Sequence, residues 1–344
     1  MSLANRTAFR IGLGLTLLAI ASTSHAAVFC ADTPAGIAGA MDTAKANGQD
    51  DEIRIVAGLY LLDATLRLGN TETEAFALAF SGRWNANCSE QSAGSASSLS
   101  GRRERPILVL SVDAGASIRI SDLAFTDGAA AFNVSGSVLD ISGSSDVVIE
   151  RSQFYLNDMR NGEPPVAVSV GGAGSTLSVN NNLVFDNSAN AVRTGIYLSA
   201  QLGTAYVTGN TITTNASTVS CPCSALNYSG TSTYTLSNNI VWNNDGGDVF
   251  INAVAPTHLD NDIGVLALGG NAPGPGSAGN LSVDPVFDTD GVHLLAESPL
   301  VNAGLAAAPG GIGDLDGGRG ERRIGASVDI GAFETDVLFR NGFD

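Results

Sequence analysis

Basic side chains are scarce in this sequence: 17 Lys and Arg face 34 Asp and Glu among 344 residues, the formal net charge is −17, and Lys45 is the only lysine. A nucleic-acid interface needs clustered Lys and Arg to replace counterions on the phosphates, so that class of partner is excluded. Polyanionic substrates are repelled as well, unless a hard cation held by carboxylate and carbonyl oxygens bridges them. Calcium is therefore the cofactor that any acidic-polysaccharide function requires. Histidine is nearly missing, with His25, His258 and His293 the whole supply, which argues against a histidine zinc site and against Ser-His-Asp catalysis. Past position 26 no apolar run approaches the roughly 18 residues of a membrane-spanning helix. Lys and Glu give way to Gly, Ser, Asn, Thr and Ala, a mixture suited to short strands separated by tight turns.

The stretch 1–26 has the three parts of a secretory signal: Arg6 and Arg10, an apolar run at 11–21, and Ser24-His25-Ala26 as a small-residue cleavage site. Cleavage after Ala26 removes those two arginines and no acid, which takes the formal charge from −17 to −19. Cys30 follows Ala27-Val28-Phe29, which lacks the small-residue context of a lipoprotein cysteine. The reading is a protein that is secreted or at the cell surface, with the periplasm as the other compartment.

In such an oxidising compartment the four cysteines allow three disulfide connectivities. We favour Cys30 with Cys88, tying an amino-terminal cap to the early part of the chain, and Cys221 with Cys223, closing a small loop through Pro222. A Cys-Pro-Cys metal or redox site is the alternative, but two thiols without a nearby histidine fall short of the three or four protein ligands zinc takes.

The strongest internal signal is a segment that recurs at a nearly constant interval: DLAFTD from Asp122, SQFYLN from Ser152, NLVFDN from Asn182, NTITTN from Asn210 and NIVWNN from Asn239. Such a period calls for a stacked-repeat architecture. Ala124, Phe154, Val184, Ile212 and Val241 form the expected inward row, and Asp127, Asn157, Asn187, Asn215 and Asn244 the row that ends each copy. One coil cannot bury its apolar face, whereas coils stacked about 4.8 Å apart bury a continuous core. The expected fold is all-β: a right-handed, single-stranded parallel β-helix. Asn tolerates left-handed backbone and bonds its own turn or the next coil. Asn182, Asn210 and Asn239 are therefore read first as structural ladders, with glycan binding as their functional alternative.

Thr33 and Pro34 read as N-cap and first residue of a short helix, Ile37, Met41 and Ala44 recur at helical spacing, and Gly48 is placed to end it. This helix is expected to plug the open end of the core. The domain reading is signal peptide 1–26, cap 27–50, β-helix coils 51–258, a carboxy-terminal portion 259–334 and a tail 335–344.

This order of segments resembles a broad group of bacterial surface and secreted right-handed β-helix proteins, related in fold to the pectate lyases. NGQDDEIRIVAGLYLL at 47–62 and SGRWNANCSE at 81–90 look like their opening coils. GNLSVDPVF at 279–287, GVHLLAESPLVNAG at 291–304, then DLDGGRGERR and VDIGAFE, resemble the carboxy-terminal portion of the choice-of-anchor Q proteins. The resemblance implies an exported β-helix with some means of surface attachment. Arg319, Arg322 and Arg323 depart from it, standing displaced from the single arginine usual after the Asp-Gly. No apolar anchor helix follows Glu334, and FRNGFD looks like short aromatic-acidic endings of some secreted proteobacterial proteins.

A pectate-lyase-like eliminase needs calcium-holding carboxylates and a basic residue to take a proton from the sugar. The nearest constellation is Asp158, Asp186, Asp245 and Asp248 with Arg160 and Arg193, all in loops leaving successive repeats. Asp158, Asp186 and Arg193 are the catalytic candidates. Asp245, Asp248, Asp314 and Asp316 are the cation-binding ones, the last two within a fragment of a calcium-loop pattern that also reads as a turn. His293 is read as a packing residue. The leading function is a non-catalytic exported β-helix whose polar face binds polysaccharide or cell-surface glycans. Its rivals are a calcium-dependent polysaccharide lyase and a passive structural or adhesive rod.

Overall fold

The computed structural model describes residues 26–69, 76–92, 94–111, 115–130, 136–143, 146–160, 162–190, 192–219, 223–267, 269–325 and 327–335. Nearly all of the expected leader, the tail after Thr335 and Cys221 lie outside the described residues.

The chain winds into a right-handed parallel β-helix with one short helix near its amino terminus. A full coil visits four sheets in turn. The coil that begins with Asp146–Glu150 continues through Gln153–Tyr155, Asp158–Met159 and Val166–Val170. Stacking gives a first sheet of nine strands, a second of eight, a third of four and a fourth of seven, with parallel pairing throughout. Alternation sets the inside and the outside: in Val166–Val170 the valines at 166, 168 and 170 are buried while Ala167 and Ser169 face out.

In-register stacking turns these alternations into continuous core rows. Ile120, Ile149, Val179, Val207 and Leu236 follow one another in the first sheet, and Leu108, Leu139, Val166, Ile196, Leu226 and Val249 in the fourth. Each such side chain contributes roughly 1.5–3 kcal/mol by leaving water. Near the carboxy-terminal end Tyr234 stacks over the small Ala205, and its ring lies 4.9 Å from that of Tyr228.

In the second sheet the inward row is Phe125, Phe154, Val184, Ile212, Val241 and Ile263. This corrects the first repeat copy by one position. Phe125, not Ala124, pairs with Phe154, their rings stacked at 4.9 Å. Asp127 does not share the row of Asn157 either; it adopts positive φ, as do Leu156 and Asp186 just before the ladder amides Asn157 and Asn187. An acid in the left-handed position imitated the amide one place on, and with a period of two a slip of one place exchanges inside for outside.

Thr33 caps the helix Pro34–Ala44, its hydroxyl accepting from the Gly36 N–H at 3.1 Å, and Ile37, Ala40, Met41 and Ala44 are buried over the end of the core. The helix stops at Lys45, before Gly48. Cys30 is disulfide-bonded to Cys88, joining the outermost strand Ala27–Ala31 to a loop beside the early coils. Cys223 is also disulfide-bonded.

Beyond Leu281 the described chain forms no helix or strand. It doubles back along the outside of the second sheet as a strap, with Val292, Ala332 and Phe333 against Leu183, and Leu294, Leu300 and Ile330 against Ile240. The strap fastens to a row of residues with positive φ at the corner between the first and second sheets: Asp122, Arg151, Asn181, Gly209 and Asn238. Asn238 donates to the Leu305 carbonyl at 3.0 Å and accepts from its N–H at 2.7 Å. Asn181 donates to the carbonyls of Ile312 and Leu315 and accepts from Arg322 Nε at 3.1 Å. At Gly209, with φ 65°, any Cβ would stand 2.4 Å from Asn181 Oδ1 and 3.0 Å from Arg322 Nη2. Arg322 is buried; it donates to the carbonyls of Asp329 and Gly331 and is ion-paired with the equally buried Glu334. Arg319 pairs with Asp122 at 2.9 Å, so two of the three displaced arginines hold the strap to the coils.

Candidate functional site

Two amide ladders run through the solenoid at the ends of the second sheet. In the first, Nδ2 of Asn182 donates to Oδ1 of Asn210, Asn210 to Asn239, Asn239 to Asn261 and Asn261 to Asn280, at 2.8–3.0 Å. Each Oδ1 also accepts the backbone N–H of the preceding ladder residue. Asn157, Asn187, Asn215 and Asn244 form the second, which ends on the carboxylate of Asp248. Asn182, Asn210 and Asn239 are fully buried, and their amides are satisfied within the protein, so they present nothing to an external ligand.

The third sheet is built differently. Its strands are only two residues long, Ala129–Ala130, Asp158–Met159, Ser188–Ala189 and Ala216–Ser217. Small side chains and brief pairing leave a shallow depression of about 890 Å³ above it, open to solvent and lined by Arg103, Glu104, Leu156, Asp158, Arg160 and Asp186, with Ser188, Asn190 and Thr218 along the same face. Asp158 pairs with Ser188 in the next coil, and Asp186 stands two places before it at the level of Leu156, so two of the three catalytic candidates line one depression without being stacked on each other. Arg160 joins them.

Arg193 does not. A register irregularity between Arg193 and Ile196 marks the start of its strand, and its guanidinium lies 3.7 Å over the ring of Tyr197 on the fourth sheet. Within the groove Arg160 grips Asp158 at 2.7 Å, and Arg103 grips Asp127 at 2.9 Å. The hydrogen bond that Arg160 donates to the Asp158 carboxylate raises the Arg160 pKa. Asp186 is exposed, and among the described residues its carboxylate has no hydrogen bond or ion pair. The aromatic pair Tyr155 and Phe185, stacked at 5.2 Å and half-buried, lies on the second sheet, where Phe185 packs against the strap at Val292 and Phe333.

The remaining cation candidates are dispersed. Asp248 is buried, accepts from Asn244 and from the Val265 N–H, and is raised in pKa by burial. Asp245 is exposed and accepts the Ser217 N–H at 3.1 Å. Asp316 lies in the strap, where its oxygens accept the N–H groups of Gly318, Gly320 and Glu334, while Asp314 is exposed. Asp316 thus organises a turn. Among the described residues no three His, Cys, Asp or Glu side chains converge. His293 bonds Asp290 at 2.5 Å and packs 4.0 Å from the Phe333 ring. His258 is buried in the last coil, 2.6 Å from the Tyr228 hydroxyl, and burial lowers its pKa to about 4.

The sequence reading missed the docking row for the strap. Its signal was present: Asn181-Asn182, Gly209-Asn210, Asn238-Asn239, Asp260-Asn261 and Gly279-Asn280 each place a residue tolerant of positive φ before a ladder amide.

Residues 109–263 match the family described as right handed beta helix region. No curated protein and no solved structure matches the chain. No helix among the described residues is long and apolar enough to cross a membrane.

Proposed function

We propose that this is an exported protein that binds a glycan chain, without cleaving it, along the groove over the third sheet. The observation that carries this reading is the groove itself: an open channel of about 890 Å³ running across several coils, edged by hydroxyl, amide and charged groups. An extended polymer lying there meets a new set of side chains every coil, about 4.8 Å on. Export is supported by the signal-like stretch 1–26 and by the Cys30–Cys88 disulfide. The similarity of the stretch 279–334 to choice-of-anchor Q proteins extends the proposal to a place on the cell surface.

The test is retention of intact polysaccharides on immobilised protein, repeated with Leu156→Asp and Asn190→Ala. Retention that these substitutions abolish supports the reading; retention that they leave unchanged places the binding elsewhere, and no retention on any polymer refutes it.

A second reading, calcium-dependent lyase, is favoured by one observation: Arg160 lies beside Asp158 and Asp186 in the same groove. A guanidinium held protonated by Asp158 is a poor proton acceptor, which is why binding is placed first. Unsaturated-sugar absorbance growing only with calcium, and lost in Arg160→Ala, would reverse that order.

A further inference from the structure

The two ends of the solenoid core are closed differently. At the amino-terminal end the helix Pro34–Ala44 sets Ile37, Ala40, Met41 and Ala44 over the apolar rows. At the other end the chain makes one more turn, 266–281, which pairs with the coil beneath it at the bridges Leu266 to Val249, Ala278 to Leu259 and Leu281 to Asp262. Within that turn a cavity of about 260 Å³ opens onto the core, its wall apolar at Ile263, Leu266, Pro273 and Leu281 and its floor reaching His258.

The polar side chains around this cavity are engaged within the protein, with one exception. Asn280 accepts from Asn261 and donates to the His258 carbonyl, and Ser282 donates to the Gly264 carbonyl. His258 is 1% exposed, its Nε2 lies 2.6 Å from the Tyr228 hydroxyl, and no described residue bonds its Nδ1. The tautomer follows from that partner. Burial raises the Tyr228 pKa and keeps the hydroxyl protonated, and Nε2 is the one acceptor for that proton among the described residues. The imidazole is neutral above about pH 4, so with Nε2 accepting, its single proton sits on Nδ1. A buried N–H donor without an acceptor is costly, and here it belongs to a residue that lines an open cavity.

We propose that this cavity binds a small, neutral, largely apolar molecule carrying one hydrogen-bond acceptor, a ketone or ester carbonyl, which receives the Nδ1–H of His258. Its volume admits a single ring with a short substituent. Anionic acceptors are disfavoured, because the chain has no Lys or Arg between Arg193 and Arg319 while Asp260 and Asp262 stand in the coil beneath. This site is separate from the groove over the third sheet.

The experiment is an NMR titration of the full protein at about pH 7 with three one-ring probes: acetophenone, ethylbenzene, which lacks the acceptor, and benzoate, which is ionised there. Acetophenone is expected to bind about threefold to tenfold more tightly than ethylbenzene, the range one net hydrogen bond supplies, and benzoate most weakly. The preference for acetophenone should vanish in Tyr228→Phe/His258→Phe, which removes both buried partners at once and orphans neither. Leu266→Trp, a larger ring placed at the exposed rim, should abolish binding of all three. Equal affinity for acetophenone and ethylbenzene, tightest binding of benzoate, a preference that persists in the double variant, binding that survives Leu266→Trp, or no binding of any probe overturns the inference. None of these outcomes bears on glycan retention by the groove.

Discussion

The coils and the strap solve the same problem, burying polar backbone beside apolar surface, by opposite means. In the coils each solution is repeated: Asn210 does for its coil what Asn182 and Asn239 do for theirs, and each amide serves two neighbours. In the strap nothing repeats. Asn181, Arg322 and Glu334 form one junction with no duplicate among the described residues, and the described part of the stretch 282–335 contains no helix or strand. The difference separates two kinds of stability, one spread along an axis and one concentrated at a few buried groups.

The largest expected effect concentrates on that junction. Arg322→Leu leaves Glu334 buried without its partner, a loss of about 3–5 kcal/mol. Hydrogen exchange should show the stretch 300–335 losing protection while the strands of the first and fourth sheets keep theirs. If coil and strap lose protection together, the two regions are one cooperative unit. Asn210→Ala makes the converse cut. It strips the acceptor from the N–H and Nδ2 of Asn182, and two orphaned buried donors cost about 3 kcal/mol in total. The main thermal transition should fall while strap exchange changes little relative to it.

Acid acts through individual buried groups, His258 on one side and Glu334 and Asp262 on the other. His258 has a pKa of about 4 against an ordinary value of 6.5. The unfolded chain therefore takes up the proton first, and stability of the last coil declines as pH falls from about 6.5 to about 4, by up to about 3 kcal/mol. Burial pushes Glu334 up to about 7 from its ordinary 4.5, with Arg322 pulling it back only in part, and Asp262 up to about 6. For these carboxyls the unfolded state loses its proton first, so Glu334 makes the strap weaken as pH rises through that interval and tighten in mild acid, while Asp262, in the last coil, acts in the same direction there and opposes His258. Denaturation of wild type and His258→Phe across this range isolates the histidine, whose removal should flatten the acid limb. The smallest effect expected is that of Gly209→Ala. It forces a Cβ at positive φ between Asn181 and Arg322 at about 1–3 kcal/mol, read as faster exchange of the strap alone.

How much of this the sequence displayed follows from what repeats. The near-constant period made Phe154, Val184, Ile212 and Val241 legible as one row, and with them the parallel architecture. The same offset places Asp158 on Ser188 and leaves Asp186 two positions away, at the level of Leu156. Where the period breaks, the reading lost its hold. The ladder continues to Asn261 and then Asn280 at shorter intervals than before, because the last coils omit the third sheet, and these copies escaped notice. Arg193 was misplaced because a local irregularity in the fourth sheet removes it from the groove. The strap left no periodic trace, and the roles of Arg319 and Arg322 depend on contacts with coils far away in sequence, at Asp122 and Asn181.

The direction in which the strap lies has a mechanical side. A tether joined beyond Thr335 draws first on Phe333, Glu334 and Arg322, which rest on the outside of the second sheet. No ladder amide stands in that line of force. Tension on such a tether would therefore load the strap's contacts with the second sheet before it reached the third, on the far side of the ladder Asn157–Asn244.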